Sequence, residues 1–289
     1  PLEVEVQILA DNHGNVIHLG ERECSIQRRH QKLVEEAPSP LLTEALRKRM
    51  TEAAVAAASA SKYVNAGTVE FLVEGDGEHF YFLEVNTRLQ VEHPVTEMTT
   101  GLDLVKLQLD IAAGKELPLR QKDVAFCGHA IECRVYAEDP ADNFRPSPGR
   151  ITLHREPSGD GVRNDCGVRE GLTVPMEYDP ILSKLVAYGE TRKEGIERMA
   201  AALENYAILG ISTTIPFLLD VVNSSEFAAG ETRTDFIPRN FSDWSPGDEG
   251  ADLAVIAFLV DDLCMAARVS SGEGVGVKSP WETLGNWRL

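Results

Sequence analysis

The chain is short of positive charge. Against 46 acidic residues stand only 28 lysines and arginines, for a formal net charge of -18. Such an excess repels nucleic acid and anionic membrane, so neither is expected as a partner. It repels nucleotide phosphate too, so a nucleotide site here must concentrate its own cations or recruit a metal ion. Cysteine is scarce: Cys24, Cys127, Cys133, Cys166 and Cys264 form no C-x-x-C pair and no zinc-type spacing. Reduced, structural thiols in a cytosol-like compartment are the expectation. Long apolar runs are missing as well. The most apolar, Leu253 to Val260, is too short to cross a bilayer. No internal repeat and no signal peptide is visible. The first residues, Pro1-Leu2-Glu3-Val4-Glu5-Val6, already read as a strand. A chain opening inside an element is expected to be a piece of a longer one, with any leader upstream.

What is present suffices for one large or two ordinary domains: 289 residues, 43% of them hydrophobic. Val4 to Ala10 alternates polar and apolar, Asp11 to Asn15 turns the chain, and Val16 to Leu19 returns, which predicts a hairpin. Leu41 to Tyr63 and Leu102 to Ala113 read as helices. Thr68 to Val73 and His79 to Asn86 read as a second hairpin about Gly75-Asp76-Gly77. After Pro118 short β-like runs dominate, at Gly128 to Ala137, Gly149 to Arg155 and Leu182 to Gly189. A domain boundary is therefore placed at 119–128. Two helices follow. The first opens on the capping box Thr191-Arg192-Lys193-Glu194 and stacks Ile196, Met199, Ala200 and Leu203 on one face. From Pro238 the composition turns loop-like, with a helix expected over Ala251 to Val269, a Gly/Ser-rich stretch, and a new element beginning at Trp281.

Two clusters carry chemistry. In the run from Glu84 to Glu92, the even positions are Glu84, Asn86, Arg88, Gln90 and Glu92 and the odd ones Val85, Thr87, Leu89 and Val91. An extended chain puts the five polar groups on one face. The bland alternative is an amphipathic strand with a solvated side. The hairpin argues otherwise, because it sets Glu70 opposite Glu84, and facing carboxylates repel unless a cation sits between them. The second cluster, Ser25 to Lys32, packs Arg28, Arg29, His30 and Lys32 into eight residues. A solvated basic loop is the plain reading. In so acidic a chain, beside an acidic strand, it also suits phosphate or a small oxyanion.

With QRRHQKLVEEAP, VEFLVE, FLEVNTRLQVEHPVTEMTTG, HAIECRVYAEDP and FRPSPGRI in this order, the chain resembles biotin carboxylases over residues 4 to about 237. EVNTRLQVEHPVTE is long and specific, whereas other ATP-grasp ligases lack its Arg-x-Gln-Val-Glu continuation. The resemblance implies an α+β fold: the C-terminal half of an ATP-grasp domain (1–119), a biotin carboxylase C-terminal domain (128–238), and a linker with the start of a further domain (239–289). It implies magnesium (or manganese) at Glu70, Glu84 and Asn86, and ATP against Gln27, His30, Leu72 and Glu84. Bicarbonate would be held by Lys32, Arg88, Gln90 and the backbone of Val91. Glu92 would be the base, and Arg134 would stabilise the biotin enolate. The activity implied is ATP- and bicarbonate-dependent carboxylation of biotin through carboxyphosphate.

The chain departs from the family at Glu3, where a histidine is frequent. The family's N-terminal domain, glycine-rich phosphate loop and upstream lysines would precede Pro1, so residues 1–289 alone are expected to be inactive. The ending SPWETLGNWRL resembles the approach to the middle domain of acyl-CoA carboxylase α-chains, which favours that class over a pyruvate or urea carboxylase. No Met-Lys-Met biotin-acceptor motif occurs, so biotin would ride on another domain or chain. The implied partners are that carrier domain, further copies of the parent chain, and a carboxyltransferase subunit. The implied compartment is the cytoplasm, with a mitochondrial or plastid matrix left open. A reading of another class is an inactive ATP-grasp relic serving as an assembly surface, which has no need of the full set Glu70, Glu84, Asn86, Arg88, Gln90, Glu92 and Arg134.

Overall fold

The computed structural model describes residues 1–75, 77–247, 256, 259 and 260. The chain divides into two compact units, Pro1–Ser245 and Pro246–Leu289. Of the second, Ile256, Leu259 and Val260 are helical. The rest of the helix expected over Ala251 to Val269, the Gly/Ser-rich stretch and the element at Trp281 lie outside the described residues. No helix among the described residues is long and apolar enough to cross a membrane.

Alternation decides the architecture of the first unit. The strands in chain order are β1 (Leu2–Ala10), β2 (Val16–Arg28), β3 (Gln31–Ala37), β4 (Asn65–Val73), β5 (Phe80–Asn86), β6 (His129–Tyr136), β7 (Glu138–Asp139), β8 (Arg145–Pro146), β9 (Gly149–Arg150), β10 (Leu153–Arg155), β11 (Val162–Cys166), β12 (Thr173–Val174), β13 (Ile181–Gly189) and β14 (Ala207–Leu209). Eight of them form one sheet in the order β11-β13-β6-β3-β2-β1-β4-β5. Its neighbours are all antiparallel. The sheet runs through the junction expected at 119–128, because β3 pairs with β6 across it. The β-like run expected over Gly149 to Arg155 is split: β9 pairs with β12 and β10 with β14.

On β1 and β4, Val4, Val6, Ile8, Val69, Phe71 and Val73 pack under helix α1 (Glu44–Ala60), against Leu46, Met50 and Ala54. Thr43 caps α1 by accepting from the Leu46 amide. With a period of two, the intervening Glu5, Gln7, Thr68, Glu70 and Leu72 must face the other way. Helix α2 (His93–Thr100) lies toward β6, β2, β3 and β13. Helix α3 (Leu104–Ala112) closes a small core with Leu9, Ile17 and Leu19. Helices α4 (Arg192–Glu204) and α5 (Ile215–Asn223) cover β6 and β13, with Met199, Leu203, Phe217 and Leu218 in the core. Two short helices, α6 (Ser225–Ala228) and α7 (Phe236–Asn240), follow. Only half of the expected capping box forms at α4. Thr191 accepts from the Glu194 amide, but the Glu194 carboxylate accepts from the amide of Glu190, one residue before the cap.

Candidate active site

Strand register builds the site. Arg22 pairs with Glu5, Glu5 with Glu70, and Glu70 with Glu84, so one row of side chains crosses β2, β1, β4 and β5 on the face opposite α1. Four charges in a row would be unstable without matched partners, and the partners are there. Arg22 is fully buried. It donates to Glu5 Oε1 (2.5 Å), Gln7 Oε1 (2.7 Å), Thr96 Oγ1 (3.0 Å), Thr68 Oγ1 (3.2 Å) and Gln90 Oε1 (3.0 Å). Lys32 donates to Glu5 Oε2 (2.6 Å), Glu70 Oε1 (3.2 Å) and Glu92 Oε1 (2.8 Å). Burial alone would raise the Glu5 carboxyl, but Arg22 and Lys32 outweigh it and bring the pKa down to about 2. Burial alone would lower Lys32, and the carboxylates of Glu5, Glu92 and Glu70 reverse that and hold it charged.

The polar run from Glu84 to Glu92 does not form one extended face. Strand β5 stops at Asn86, residues 87–92 are irregular, and α2 starts at His93. The chain turns back over the sheet, so the even-numbered groups reach different places. Asn86 donates through one nitrogen to Glu70 Oε1 (2.9 Å) and Glu84 Oε1 (3.3 Å), which puts both carboxylates on one side of the hairpin. Gln90 is buried and donates to Glu70 Oε1 at 2.9 Å. Glu92 sits at the N-terminus of α2 without capping it. Its carboxylate accepts from Lys32 on Oε1 and from Arg134 on Oε2, at 3.0 Å. Arg134 also holds Glu35. Burial pushes the Glu35 carboxyl up despite Arg134, and burial with Glu35 opposite does the same to Glu132. The Val91 carbonyl accepts from Lys184 Nζ at 3.0 Å. Arg88 stands apart: it is exposed, with hydrogen bonds of 3.4 Å to Asn86 Oδ1 and to the Leu89 carbonyl.

The basic cluster is a tight hairpin. Arg29 and His30 both have positive φ, 50° and 65°, and link β2 to β3. Gln27, His30 and Leu72 line one open cleft of about 1090 Å³ beside this turn, with Glu3, Phe144 and Ile237. Gln27 donates to Glu3 Oε2 at 2.8 Å. Burial raises the Glu3 carboxyl, and that hydrogen bond only partly opposes it. Of the other site residues expected from sequence, Glu70 and Glu92 meet at Lys32, Asn86 and Gln90 join through Glu70, and Arg134 joins through Glu92, whereas Glu84 and Arg88 are exposed. Sequence reasoning missed Arg22, Gln7, Thr68, Thr96, Glu35 and Lys184. A signal existed for Arg22: Glu21-Arg22-Glu23 puts three charges in succession inside a strand, and alternation must bury at least one.

The donor chemistry at Glu70, Glu84 and Asn86 fits a hard cation. All three supply oxygen, a half-turn of the Asn86 amide presents its Oδ1 beside the two carboxylates, and exposed Glu84 leaves a side open for phosphate or water.

Residues 1–120 match the family described as "Carbamoyl-phosphate synthase L chain, ATP binding domain", and residues 132–239 match "Biotin carboxylase C-terminal domain". The chain is 56% identical to a pyruvate carboxylase subunit of Methanothermobacter thermautotrophicus, over 82% of this chain and 48% of that one. It is 54% identical to "Biotin carboxylase 1" of Bacillus subtilis (81% and 52%) and 49% identical to "Propionyl-CoA carboxylase alpha chain" of Ruegeria pomeroyi (88% and 40%). It thus spans about half the length, or less, of these curated relatives. Among solved structures, the biotin carboxylase subunit of a pyruvate carboxylase superposes with a TM-score of 0.83 at 47% identity, over 86% of this chain and 55% of that one. The biotin carboxylase domain dimer of Hydrogenobacter thermophilus 2-oxoglutarate carboxylase, in complex with MgADP, ADP and bicarbonate, does so with a TM-score of 0.83 at 44% identity (86% and 54%). The α+β sheet, the two matched domains and these relatives together make the chain a member of the biotin carboxylase family.

Proposed function

We propose that this chain carries the metal, bicarbonate and biotin side of a biotin carboxylase active site, as part of a longer ATP-dependent ligase. The observation that carries the reading is the Arg22–Glu5–Glu70–Glu84 row, joined through Lys32 to Glu92 and Arg134 beside the cleft of Gln27, His30 and Leu72. Nucleotide lies in that cleft, its base toward Gln27, His30 and Leu72. Glu70, Glu84 and Asn86 would hold magnesium, which would supply positive charge to the nucleotide phosphates. Arg88, exposed and lightly bonded, offers its fork to bicarbonate, with Lys32 and Gln90 on the inner side. Glu92 takes the bicarbonate proton, for which the anion must first displace one of the cations now on its carboxylate. The bicarbonate oxygen then bonds to the γ-phosphorus as the bond to ADP breaks, giving carboxyphosphate. It breaks down to CO2 and phosphate; the phosphate takes the proton of the biotin ureido nitrogen, and that nitrogen bonds to CO2 while Arg134 pairs with the enolate oxygen.

Biotin arrives on a carrier domain outside this chain, and a carboxyltransferase passes the carboxyl group on. We place the division between the two family domains at 119–128 and give the parent a homo-oligomeric, cytoplasmic setting. An acyl-CoA carboxylase α-chain is favoured over a stand-alone biotin carboxylase, because the match to the propionyl-CoA carboxylase chain takes in 88% of this chain and that to the Bacillus subtilis protein 81%. The 56% identity to a pyruvate carboxylase subunit favours the second reading, the same half-reaction serving pyruvate. The test is ADP release by the purified parent protein. Release should require bicarbonate, and biotin carboxylation should fall further than bicarbonate-dependent ADP release in Arg134→Ala. ATP turnover indifferent to bicarbonate would remove the proposal.

A further inference from the structure

A second cluster of ligating side chains lies in the C-terminal half and shares no residue with the site above. His154 is in β10, Glu156 just after it, and Cys166 ends β11. Cys166 Sγ is 3.6 Å from His154 Nε2. Glu156 Oε1 is 4.0 Å from His154 Nδ1. One donor atom from each of the three residues can be chosen so that all lie within 4.8 Å of one another. The imidazole is 6% exposed and the Glu156 side chain 46%, so the cluster is closed on the protein side and open on the carboxylate side. Around it stand Tyr206, whose hydroxyl donates to Cys166 Sγ at 3.6 Å and meets Ser183 Oγ at 2.8 Å, and Asn164, which donates to Glu156 Oε2 at 2.8 Å. The Asn164 Oδ1 atom is buried and has no hydrogen-bond partner.

We propose that Cys166, His154 and Glu156 bind a borderline divalent cation of the zinc type, clamping the β10–β14 pair to β11 of the main sheet. The donor set is sulfur, nitrogen and oxygen, which selects such an ion over magnesium, a cation that takes oxygen only. The spacing agrees. Tetrahedral zinc, with bonds of about 2.3 Å to sulfur and about 2.0 Å to nitrogen, separates those two ligand atoms by about 3.5 Å. Glu156 swings in from the solvent side as the third ligand, and water completes the sphere. Binding replaces the thiol proton of Cys166, which passes to solvent. Without metal that thiol donates to the carbonyls of Val168 (3.4 Å) and Leu182 (3.8 Å).

The protein is stripped with a chelator, on a Cys127→Ser background because Cys127 is exposed, and titrated with cobalt(II) as a coloured stand-in for zinc. One equivalent should give tetrahedral visible bands and a thiolate-to-cobalt charge-transfer band. Both should vanish in Cys166→Ser and weaken at least tenfold in His154→Gln. Cobalt at Glu70 and Glu84 meets no sulfur and gives no such band, so the two sites are told apart. Excess zinc should raise the thermal midpoint on the order of 5 °C. Zinc-edge X-ray absorption, which leaves Cys166 unaltered, should find one sulfur at about 2.3 Å. A charge-transfer band that survives Cys166→Ser, no band at all, or a zinc shell without sulfur overturns the proposal in favour of a plain thiol–imidazole contact.

Discussion

Arg22→Met isolates the interaction on which the site rests. Arg22 is 0% exposed and bridges five acceptors, of which Glu5 is charged and equally buried. Methionine fills comparable space and donates nothing, so Glu5 keeps Lys32 alone and Gln7 and Gln90 lose their shared partner. Removing one member of a buried ion pair costs about 3–5 kcal/mol. For a unit of this size that lowers the thermal midpoint by roughly 6–20 °C. The pH dependence has a definite sign. Folding lowers Glu5 from the ordinary 4.5 to about 2. Its contribution is therefore complete above pH 4.5 and fades as pH falls toward 2. In the variant Glu5 titrates higher, so the deficit should be largest at neutral pH and shrink below pH 4.5. Glu5→Gln added to Arg22→Met should restore part of the loss, with a coupling of about 0.5–3 kcal/mol. Thermal melts give the midpoint, and urea melts of the wild type, the two single variants and the double variant between pH 3.5 and 7.5 give the free energies. A loss under about 1 kcal/mol, or one independent of pH, would show that the network does not hold the sheet face together.

Glu92→Gln in the parent protein should lower turnover about 100-fold or more with a smaller change in the bicarbonate KM, because it removes a base and not an anion clamp; normal turnover would exclude that role. Arg88→Ala should do the reverse, raising the bicarbonate KM strongly, since Arg88 is exposed and supports little else; an unchanged KM would refute it. Glu84→Gln should raise the magnesium concentration needed for half-maximal ADP release about tenfold while leaving the melting temperature nearly unchanged, since Glu84 is exposed. Burial, together with facing Glu36, raises the Glu23 carboxyl to about 7. Its protonated form stabilises the fold fully below pH 4.5, and that contribution is lost as pH rises through about 7. Glu23→Gln should therefore be the more stable protein at pH 8 and indistinguishable at pH 4.5, and a gain equal at both values would exclude the linkage.

What the sequence determined by itself was local. The period of two in Val4 to Ala10 and Thr68 to Val73 set which residues turn toward a helix, and the Gly-rich turn set up the hairpin; a bulge between Glu70 and Phe71, which the turn alone does not dictate, brings Glu70 against Glu84. The long motif from Glu84 to Glu92 identified the family because its residue types are improbable together without a shared chemistry. The same run was misread as one extended face. Where the strand ends depends on α2 docking against β6, β2, β13 and β3, a contact between residues far apart in the chain. Only the tertiary structure decided that Lys32, 60 residues from Glu92, joins it to Glu5 and Glu70, and that Arg22 holds the other oxygen of Glu5. Cys166 and His154 meet for the same reason: β11 and β10 belong to different sheets that pack together. Periodicity reports which way a side chain points from its own backbone. Which groups it meets depends on strand order and helix docking, and these are set by the burial of apolar surface across the whole unit.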